Sequence, residues 1–277
     1  MVRRWSESEV SFLKANYADK SSRQLAKDLN RTPKAIRNKA VSLNLHAIHR
    51  YYGHPKPVKT FPVSRELVYL IGAIKGDGYL YSNQKGLYSI TLTVKDFEFV
   101  HRVKESIGHI IGRFPKIGVL QQHSTSIGAG NKMYRVTVSD KSLFYLLKKD
   151  LESLKQHIEI YPSDFLRGFF DAEGSAWIVK RQNRKKRIVK NGKISYVNRY
   201  SEESVVKYCN TDKNLMDYIR SLLVNLSIFP APKMFIIKGN LCENPKPCYN
   251  LHVYRKDSIK RFMTLIGSSI PRKRLVL

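Results

Sequence analysis

The sequence predicts an α+β protein in which one αββαββα order of helices and strands occurs twice, after a small all-helical segment. Two short apolar helices, LVYLIGAIKGDG at 67–78 and FLRGFFDAEG at 165–174, each head one copy of this order. Each helix ends in an acid followed at once by glycine, first Asp77 and later Glu173. The doubled order predicts a pseudo-twofold repeat with two antiparallel sheets.

Composition and charge favour a nucleic-acid partner. The chain has 277 residues, 42% of them apolar, and 50 Lys and Arg against 22 acids give a net charge of +28. That excess is larger than solubility requires and predicts binding to a polyanion. The chain has no apolar run long enough to span a membrane and no signal-peptide core at its start, so no membrane partner is expected.

The three cysteines indicate the compartment. Cys209, Cys242 and Cys248 are odd in number and lack the paired spacing of a zinc site. They predict a reducing, intracellular location, in the cytoplasm, the nucleoid or an organelle matrix.

Residues 1–45 carry the signals of three short helices. Ser6 and Glu9 form a capping-box pattern before a helix over about 6–17. Ser21 or Ser22 caps a second helix, and Thr32 caps a third that runs to Asn44. Three short helices with a tight turn before the last predict a helix-turn-helix domain.

The same segment, from Trp5 to RTPKAIRNKAVSLNL at 31–45, resembles Myb/SANT-like DNA-binding domains. The resemblance implies that Lys34, Arg37 and Asn38 lie on the outer face of a recognition helix and contact DNA. The alternative is an ordinary solvated helix face.

Residues 46–63 form a predicted linker. The stretch holds three prolines, three histidines and no acid, which is typical of a semi-extended tether. Basic and aromatic residues alternate in it, and Arg50 is a candidate contact to phosphates or the minor groove. The histidines lack a metal-ligand spacing.

The repeat occupies residues 64–277, with halves of about 64–155 and 156–277. After the first motif helix the predicted strands are 79–82 and 87–94, then helix 96–112, strands 116–123 and 133–138, and helix 140–152. The second half is predicted as helix 163–173, strands 175–189 and 194–209, helix 212–226, strands 232–238 and 248–254, and helix 256–267.

Small residues recur four apart in each motif helix, as Gly72 and Gly76 and as Gly168 and Ala172. Residues four apart share a helix face, so the two helices are predicted to pack closely and to bring both acids to one end. Two close carboxylates repel unless a cation neutralises them, and their oxygens suit Mg²⁺. The alternative is two buried core helices with glycine caps.

The helix ends themselves lead to two further expectations. A carboxylate in the last turn of a helix opposes the helix dipole, which predicts a compensating cation close by. The glycine after each acid, Gly78 or Gly174, is the residue type expected in a left-handed cap.

LIGAIKGDG at 70–78 and LRGFFDAEG at 166–174 resemble the two nonamer motifs of single-chain LAGLIDADG homing endonucleases. The resemblance implies a DNA-binding saddle of two four-stranded sheets. It also implies a metal site formed by Asp77, Glu173, Gly76 and Ala172, with Mg²⁺ that Mn²⁺ or another divalent ion can replace. The first motif departs from the family at Lys75, and the second has Glu173 where Asp is commoner.

The same resemblance implies further catalytic residues near the start of the middle helix and before the last helix of each half. The matching positions are Asp96, Asp212, Lys141 and Lys256. Each has a plain alternative role, as a helix cap or a surface lysine.

The strongest local charge signal lies at 180–199, which contains nine Lys or Arg and no acid. A long hairpin turning at Asn191–Gly192 would lay these side chains along a duplex; a targeting signal or a disordered loop is the alternative. The candidate contacts are Arg181, Arg184, Lys185, Lys186, Arg187, Lys193 and Arg199. Further candidates in the first half are Gln121, Gln122, Lys132 and Arg135.

Together these patterns predict a monomeric, site-specific endonuclease that cuts both strands of duplex DNA. The chain begins with Met and ends in RKRLVL, without the splicing residues of an intein, so a free-standing, intron-encoded nuclease is expected. An RNA maturase and a non-catalytic DNA-binding regulator remain as alternatives.

Overall fold

A computed structural model of the chain describes residues 4–45, 58–84, 86–121, 132–190, 193–237 and 247–275. The contacts divide the chain into two compact units, Met1–Lys59 with Ser82–Leu87 and Thr60–Tyr81 with Tyr88–Leu277. None of the helices in the described ranges is both long and apolar enough to cross a lipid bilayer.

The first unit contains the three predicted helices, α1 (Glu7–Asn16), α2 (Ser22–Asp28) and α3 (Pro33–Ser42). The predicted capping box is present, since Ser6 Oγ accepts from the Glu9 amide and Glu9 Oε2 accepts from the Ser6 amide. The helices enclose a small apolar core of Leu13, Tyr17, Leu25, Ala26, Ile36 and Ala40. The resemblance of this unit to Myb/SANT domains stays a prediction.

The second unit contains the doubled order of elements. Its first half comprises α4 (Arg65–Asp77), β1 (Gly78–Ser82), β2 (Tyr88–Val94), α5 (Phe97–Ile111), β3 (Ile117–Gln121), β4 (Lys132–Ser139), α6 (Lys141–Lys148) and α7 (Leu151–Ile158). Its second half comprises α8 (Pro162–Glu173), β5 (Gly174–Lys190), β6 (Lys193–Asn210), α9 (Lys213–Asn225), β7 (Phe235–Ile237), β8 (Cys248–Val253) and α10 (Lys256–Leu265), followed by a 3₁₀ turn at Pro271–Lys273.

The strands form two four-stranded sheets, here called sheet A (order β1-β2-β4-β3) and sheet B (order β5-β6-β8-β7). Neighbouring strands pair antiparallel, for example Leu92 with Val136 in sheet A and Tyr208 with Leu251 in sheet B. These four side chains are buried in one continuous core with the helices. Strand side chains alternate between the two faces, so each sheet has a core face and an opposite outer face.

One predicted helix is wrong in extent. The segment predicted as a single helix at 140–152 contains α6 and only the first two residues of a second helix, α7, which continues to Ile158 and was not predicted. The break falls at Lys149–Asp150, because the Asp150 carboxylate accepts from the Ser153 amide at 2.7 Å and caps a new helix.

The centre of the second unit is the contact between α4 and α8, here called the helix seam. A Cβ atom added at Gly72 would overlap the Phe165 carbonyl oxygen and lie 2.8 Å from the Phe169 nitrogen. On the facing helix, a Cβ at Gly168 would overlap the Tyr69 carbonyl oxygen and lie 2.9 Å from the Ala73 nitrogen. The two backbones therefore touch, as the small residues predicted.

The predicted left-handed caps are wrong. Gly78 has φ −77° and ψ 146°, and Gly174 has φ −88° and ψ 159°, so both are extended and begin strands β1 and β5. Glycine is needed for space instead: a Cβ at Gly78 would lie 2.5 Å from the Ile74 Cα, and one at Gly174 would overlap the Phe170 ring. Each motif helix thus passes directly into the first strand of its sheet.

Candidate metal and nucleic-acid site

The two motif acids lie at the same end of the helix seam. A Cβ at Gly76 would overlap the Ala172 Cβ and lie 3.1 Å from the Glu173 Cγ, so the Glu173 side chain reaches across to α4. Glu173 is half-buried, and burial and then the charge of Asp77 raise its pKa. Two carboxylates are therefore close enough to repel each other in a partly desolvated place.

Asp77 is more exposed than Glu173, but enough protein surrounds its carboxyl group to change its pKa. Burial raises the pKa of Asp77, Lys273 lowers it and Asp96 raises it. Three acids and one lysine therefore act on one another at this end of the seam. All three acids are candidate site residues from the sequence, and the lysine is not.

The compensating cation is Lys273, from the 3₁₀ turn that follows α10. Its ammonium is buried and donates to the carbonyl oxygens of Phe170, Asp171 and Ala172 at 3.0, 2.7 and 3.3 Å. These carbonyls end α8, where the helix dipole is negative. Burial lowers the pKa of Lys273 to about 8. The signal in the sequence was the PRKR run at 271–274.

Asn210 is a second residue that sequence analysis missed. Its amide Nδ2 donates to Glu173 Oε1 at 3.1 Å, and its Oδ1 accepts from the Asp212 backbone amide at 2.9 Å. Asn210 ends β6 and directly precedes the turn into α9. It therefore fixes the orientation of the Glu173 carboxylate from sheet B.

The residue two positions before each acid differs between the two halves. Asp171 is buried and accepts from the Tyr69 hydroxyl at 2.8 Å, the Ser269 amide at 3.0 Å and the Ser268 hydroxyl. Lys75 has the opposite polarity and donates to the Lys149 carbonyl oxygen at 2.7 Å. In the first half, the hydrogen bond of Lys75 joins α4 to the segment after α6. In the second half, the hydrogen bonds of Asp171 join α8 to the segment after α10. This structural contact explains Lys75 without a catalytic role.

The Asp171 contacts should be essential for stability. Asp171→Ala leaves the buried Tyr69 hydroxyl and the Ser269 amide without their acceptor, and we expect a loss of about 3 kcal/mol in unfolding free energy. Asp217→Ala is the matched control, because the side chains of Asp217 and its partner Lys213 are 44% and 59% exposed. Denaturant titration of both variants checks this; equal losses would contradict it.

The four further catalytic candidates differ in their surroundings. The Asp96 carboxylate accepts two bonds from Arg272, at 2.8 and 2.7 Å, and this pairing lowers its pKa. Asp212 caps α9 by accepting from the Leu215 amide at 3.1 Å. Lys141 begins α6, with its ammonium 5.8 Å from the centre of the Tyr88 ring, and Lys256 begins α10 and is exposed.

The donor atoms at the seam fit one kind of metal. In the described part of the chain, no group of three or more His, Cys, Asp or Glu could hold an ion. Asp77 and Glu173 offer two carboxylates, and Gly76 and Ala172 directly precede them; the Ala172 carbonyl oxygen accepts from the Lys273 ammonium. An all-oxygen set with few protein ligands suits Mg²⁺, which keeps several waters and completes its shell with phosphate oxygens.

The candidate DNA contacts in the sheets lie on both faces. Arg135 lies on the outer face of sheet A and donates to the Thr93 hydroxyl at 3.0 Å. Gln121 and Lys132 pair at the end of β3 and β4, on the same face as Tyr134, which is the core face. Both side chains are exposed there because they lie beyond the core.

In the long hairpin, Arg181 is exposed and pairs with Glu203 at 2.9 Å. The backbones of Arg184, Lys185, Lys186 and Arg187 lie in β5, and those of Lys193 and Arg199 lie in β6. The side chains of these six residues, all of Arg50 and Gln122, and the Asn191–Gly192 turn lie outside the described residues.

In the first unit, Lys34, Arg37 and Asn38 are all exposed on α3. The opposite face of the helix is buried through Ile36 and Ala40. The three predicted contacts therefore share an accessible surface.

The fold and the site define a class of α+β protein with two matching helices, each ending in an acid where a four-stranded sheet begins. The chain belongs to the same family as the uncharacterized protein MJ0398 of Methanocaldococcus jannaschii. The two are 31% identical over 219 residues, which are 76% of this chain and 69% of the relative. No protein-family model matches the chain.

The fold is similar to that of several solved structures, among them two complexes with DNA. In the crystal structure of I-DmoI in complex with DNA and Mn, the sequence is 20% identical to this chain and the TM-score is 0.45. The match covers 74% of this chain and 98% of that one. The homing endonuclease I-WcaI bound to its DNA recognition sequence is 15% identical, with a TM-score of 0.46, and the match covers 76% of this chain and 85% of that one.

Proposed function

We propose that the protein is a site-specific, divalent-metal-dependent endonuclease of the LAGLIDADG homing type that cuts both strands of duplex DNA. The observation that carries this is the meeting of Asp77 and Glu173 at one end of a backbone-to-backbone helix seam. Each acid stands where its helix passes into the first strand of a separate sheet. The net charge of +28 supplies the attraction for a polyanion.

Mg²⁺ is the ion we propose for this site, held by the carboxylates of Asp77 and Glu173, with the carbonyls of Gly76 and Ala172 as further candidate ligands, the second shared with the Lys273 ammonium. When bound, the metal would lower the pKa of a water ligand and stabilise charge on the scissile phosphate. Asn210 orients the Glu173 carboxylate by its hydrogen bond. Lys273 holds the end of α8 through its three carbonyl contacts and adds positive charge beside the phosphate position.

The remaining residues would bind and align the DNA. The outer faces of the two sheets would lie in the major groove on either side of the cut, with Arg135 and Arg181 on them. The exposed face of α3, with Lys34 and Arg37, would make a separate contact. One chain supplies both acids, so a monomer would suffice to cut both strands.

Incubation of the full chain with Mg²⁺ and duplex DNA tests the function. A library of random duplexes, together with the locus that encodes the protein with its intron removed, should yield staggered double-strand ends at one sequence. Mn²⁺ should support the cut and EDTA should abolish it. Cutting that persists in EDTA, or RNA splicing activity with no DNA cleavage, would contradict the proposal; the second result would favour a maturase.

The cleavage rate should fall at low pH, and the pH at which it falls should depend on Lys273. Burial raises the pKa of both Asp77 and Glu173, and metal ligation needs the ionised form. The rate should therefore fall as the pH decreases through these raised values. Because Lys273 lowers the pKa of both acids, Lys273→Met should move this fall in rate to higher pH.

Single-turnover cleavage against pH measures this shift. Lys260→Met is the control, because Lys260 is exposed on α10. A fall in rate that stays at the same pH in Lys273→Met, or that moves equally in both variants, would contradict the electrostatic role of Lys273.

A further inference from the structure

The outer faces of the two sheets differ in chemistry. In sheet B, Val206, Tyr208, Leu251 and Val253 lie on the core face. Because strand side chains alternate, their neighbours Lys207 and His252, which pair with each other, lie on the outer face. Trp177 pairs with Val205 and Phe235 pairs with Asn250, so both belong to the same outer face.

This outer face of sheet B carries an aromatic cluster. The His252 ring is the centre: its centroid lies 5.1 Å from that of Phe235, 5.4 Å from that of Tyr254 and 6.4 Å from that of Trp177. Phe235 is 53% exposed to solvent and Trp177 is 37% exposed. Ile237 follows on the same strand face and is 58% exposed.

His252 adds no charge to this cluster at neutral pH. Burial, and then the charge of Lys207, lower the pKa of His252. Its Nδ1 is buried and has no hydrogen-bond partner in the described structure. The cluster is therefore an apolar surface, with the Lys207 ammonium beside it, 5.9 Å from the centre of the Trp177 ring.

On the outer face of sheet A, the two central strands β2 and β4 carry hydroxyl groups instead. Its cross-strand pairs are Ser89 with Ser139, Thr91 with Thr137 and Thr93 with Arg135. The Thr91 and Thr137 hydroxyl oxygens lie 3.1 Å apart, and Arg135 donates to Thr93. These two strands offer hydrogen-bond donors and acceptors in rows, and on β1 the exposed Tyr79 and Tyr81, which flank the core-facing Leu80, lie on the same outer face.

Base pairs present matching differences in the major groove. Thymine is the base with an apolar group there, its 5-methyl, whereas the other edges offer donors and acceptors. We infer that sheet B selects its half of the target by apolar contact with thymine methyl groups, while sheet A selects the other half by hydrogen bonds. This inference rests on the proposed function and assigns part of its specificity.

DNA fits the outer face of sheet B better than a protein partner does. The cluster begins on β5, whose first residue follows Glu173 directly, so it adjoins the candidate cleavage site. Lys207 and Arg181 lie on the same face, and the net charge of +28 attracts phosphates.

The experiment begins with binding-site selection, using the full chain in EDTA and a pool of random duplexes. In the selected site, deoxyuridine then replaces thymine in one half or the other, which removes only the 5-methyl groups. The variant Arg135→Ala changes a side chain on sheet A. The half of the site in which this variant loses its base preference is therefore the half that sheet A contacts. Affinities are measured by titration.

We expect thymine in the sheet B half, and a loss of affinity of roughly fourfold for each contacted methyl group removed there. The same change in the other half should alter affinity less than about twofold. Trp177→Ala and Phe235→Ala should abolish the discrimination between thymine and uracil. The matched control Thr91→Val should retain it, since Thr91 lies on sheet A.

Several results would overturn the inference. These are a sheet B half without thymine, an equal loss in both halves, or discrimination that survives in Trp177→Ala. DNA affinity unaffected by Phe235→Ala would point to a protein partner for the cluster and overturn it as well. If a site is selected and cleaved but replacement of thymine by deoxyuridine does not change its affinity, this inference alone is overturned. If no site is selected at all, the proposed function is overturned too.

Discussion

Replacement of Asp77 by Asn, or of Glu173 by Gln, is expected to abolish double-strand cleavage while DNA affinity stays nearly unchanged. Each change removes one negative metal ligand and keeps the size of the side chain. Loss of the metal's contribution to charge stabilisation costs several kcal/mol of barrier, which corresponds to a rate at least ~1,000-fold lower. In Glu173→Gln the new side chain retains an amide oxygen for the Asn210 bond, so the site geometry should persist.

These variants should also be more stable than the natural protein. Burial raises the pKa of Asp77 above its usual 3.8 and that of Glu173 above its usual 4.5, so the ionised forms oppose folding. The gain on neutralisation should be complete at neutral pH and should be lost as the pH falls through the raised folded pKa values towards the usual ones. Added Mg²⁺ should stabilise the natural protein and not the variants.

Cleavage, DNA titration and thermal unfolding of the same preparations test both expectations. Glu152→Gln is the control, because 81% of the Glu152 side chain is exposed on α7. Full double-strand cutting by either variant would exclude the metal-ligand role. A large loss of DNA affinity would mean that the acid acts in binding or folding rather than in catalysis.

The second large effect is expected at the helix seam. Gly168→Val should destabilise the second unit by more than about 4 kcal/mol, lowering its unfolding midpoint by roughly 10 °C or more. The new Cβ would overlap the Tyr69 carbonyl oxygen and approach the Ala73 nitrogen. Both are backbone atoms of α4, which cannot rotate away as a side chain would. The helices would have to separate, and the two acids with them.

Gly118→Val is the matched control for this change. Gly118 is exposed on β3, and the nearest atom to an added Cβ is the Arg135 carbonyl oxygen at 3.9 Å. Valine is also favoured in strands, so this variant should be as stable as the natural protein or slightly more so. Similar losses in both variants would show that close backbone contact is not what requires glycine at 168.

Much of the fold follows from local signals in the sequence. The order of elements in both halves, apart from the additional helix α7, was predictable, and so were the three caps at Ser6, Ser21 and Thr32 and the long basic hairpin. Capping depends on contacts within one helical turn, and strand alternation depends on neighbours two residues apart. The break between α6 and α7 and the extent of α7 to Ile158 were missed, although Asp150 carries a cap signal.

The candidate site followed only in part from the sequence. The proximity of Asp77 and Glu173 was predictable because small residues and acids recur in two matching helices, whereas their role as metal ligands stays a prediction. The identity of the compensating cation was not predictable, since Lys273 lies 100 positions after Glu173 along the chain. Asn210 was missed for the same reason, because its role depends on the pairing of β6 within sheet B.

The sequence by itself therefore determined that two short helices would end in acids at the start of two sheets, because helix faces and strand alternation are periodic and local. Only the tertiary structure decided that both glycines after the acids are extended, and that Lys273 and Asn210 surround the carboxylates. It also decided that the central strands of sheet A present hydroxyls outward and that aromatic rings cluster around His252 on sheet B. These features depend on strand register and on close approach between distant segments, which no local pattern encodes.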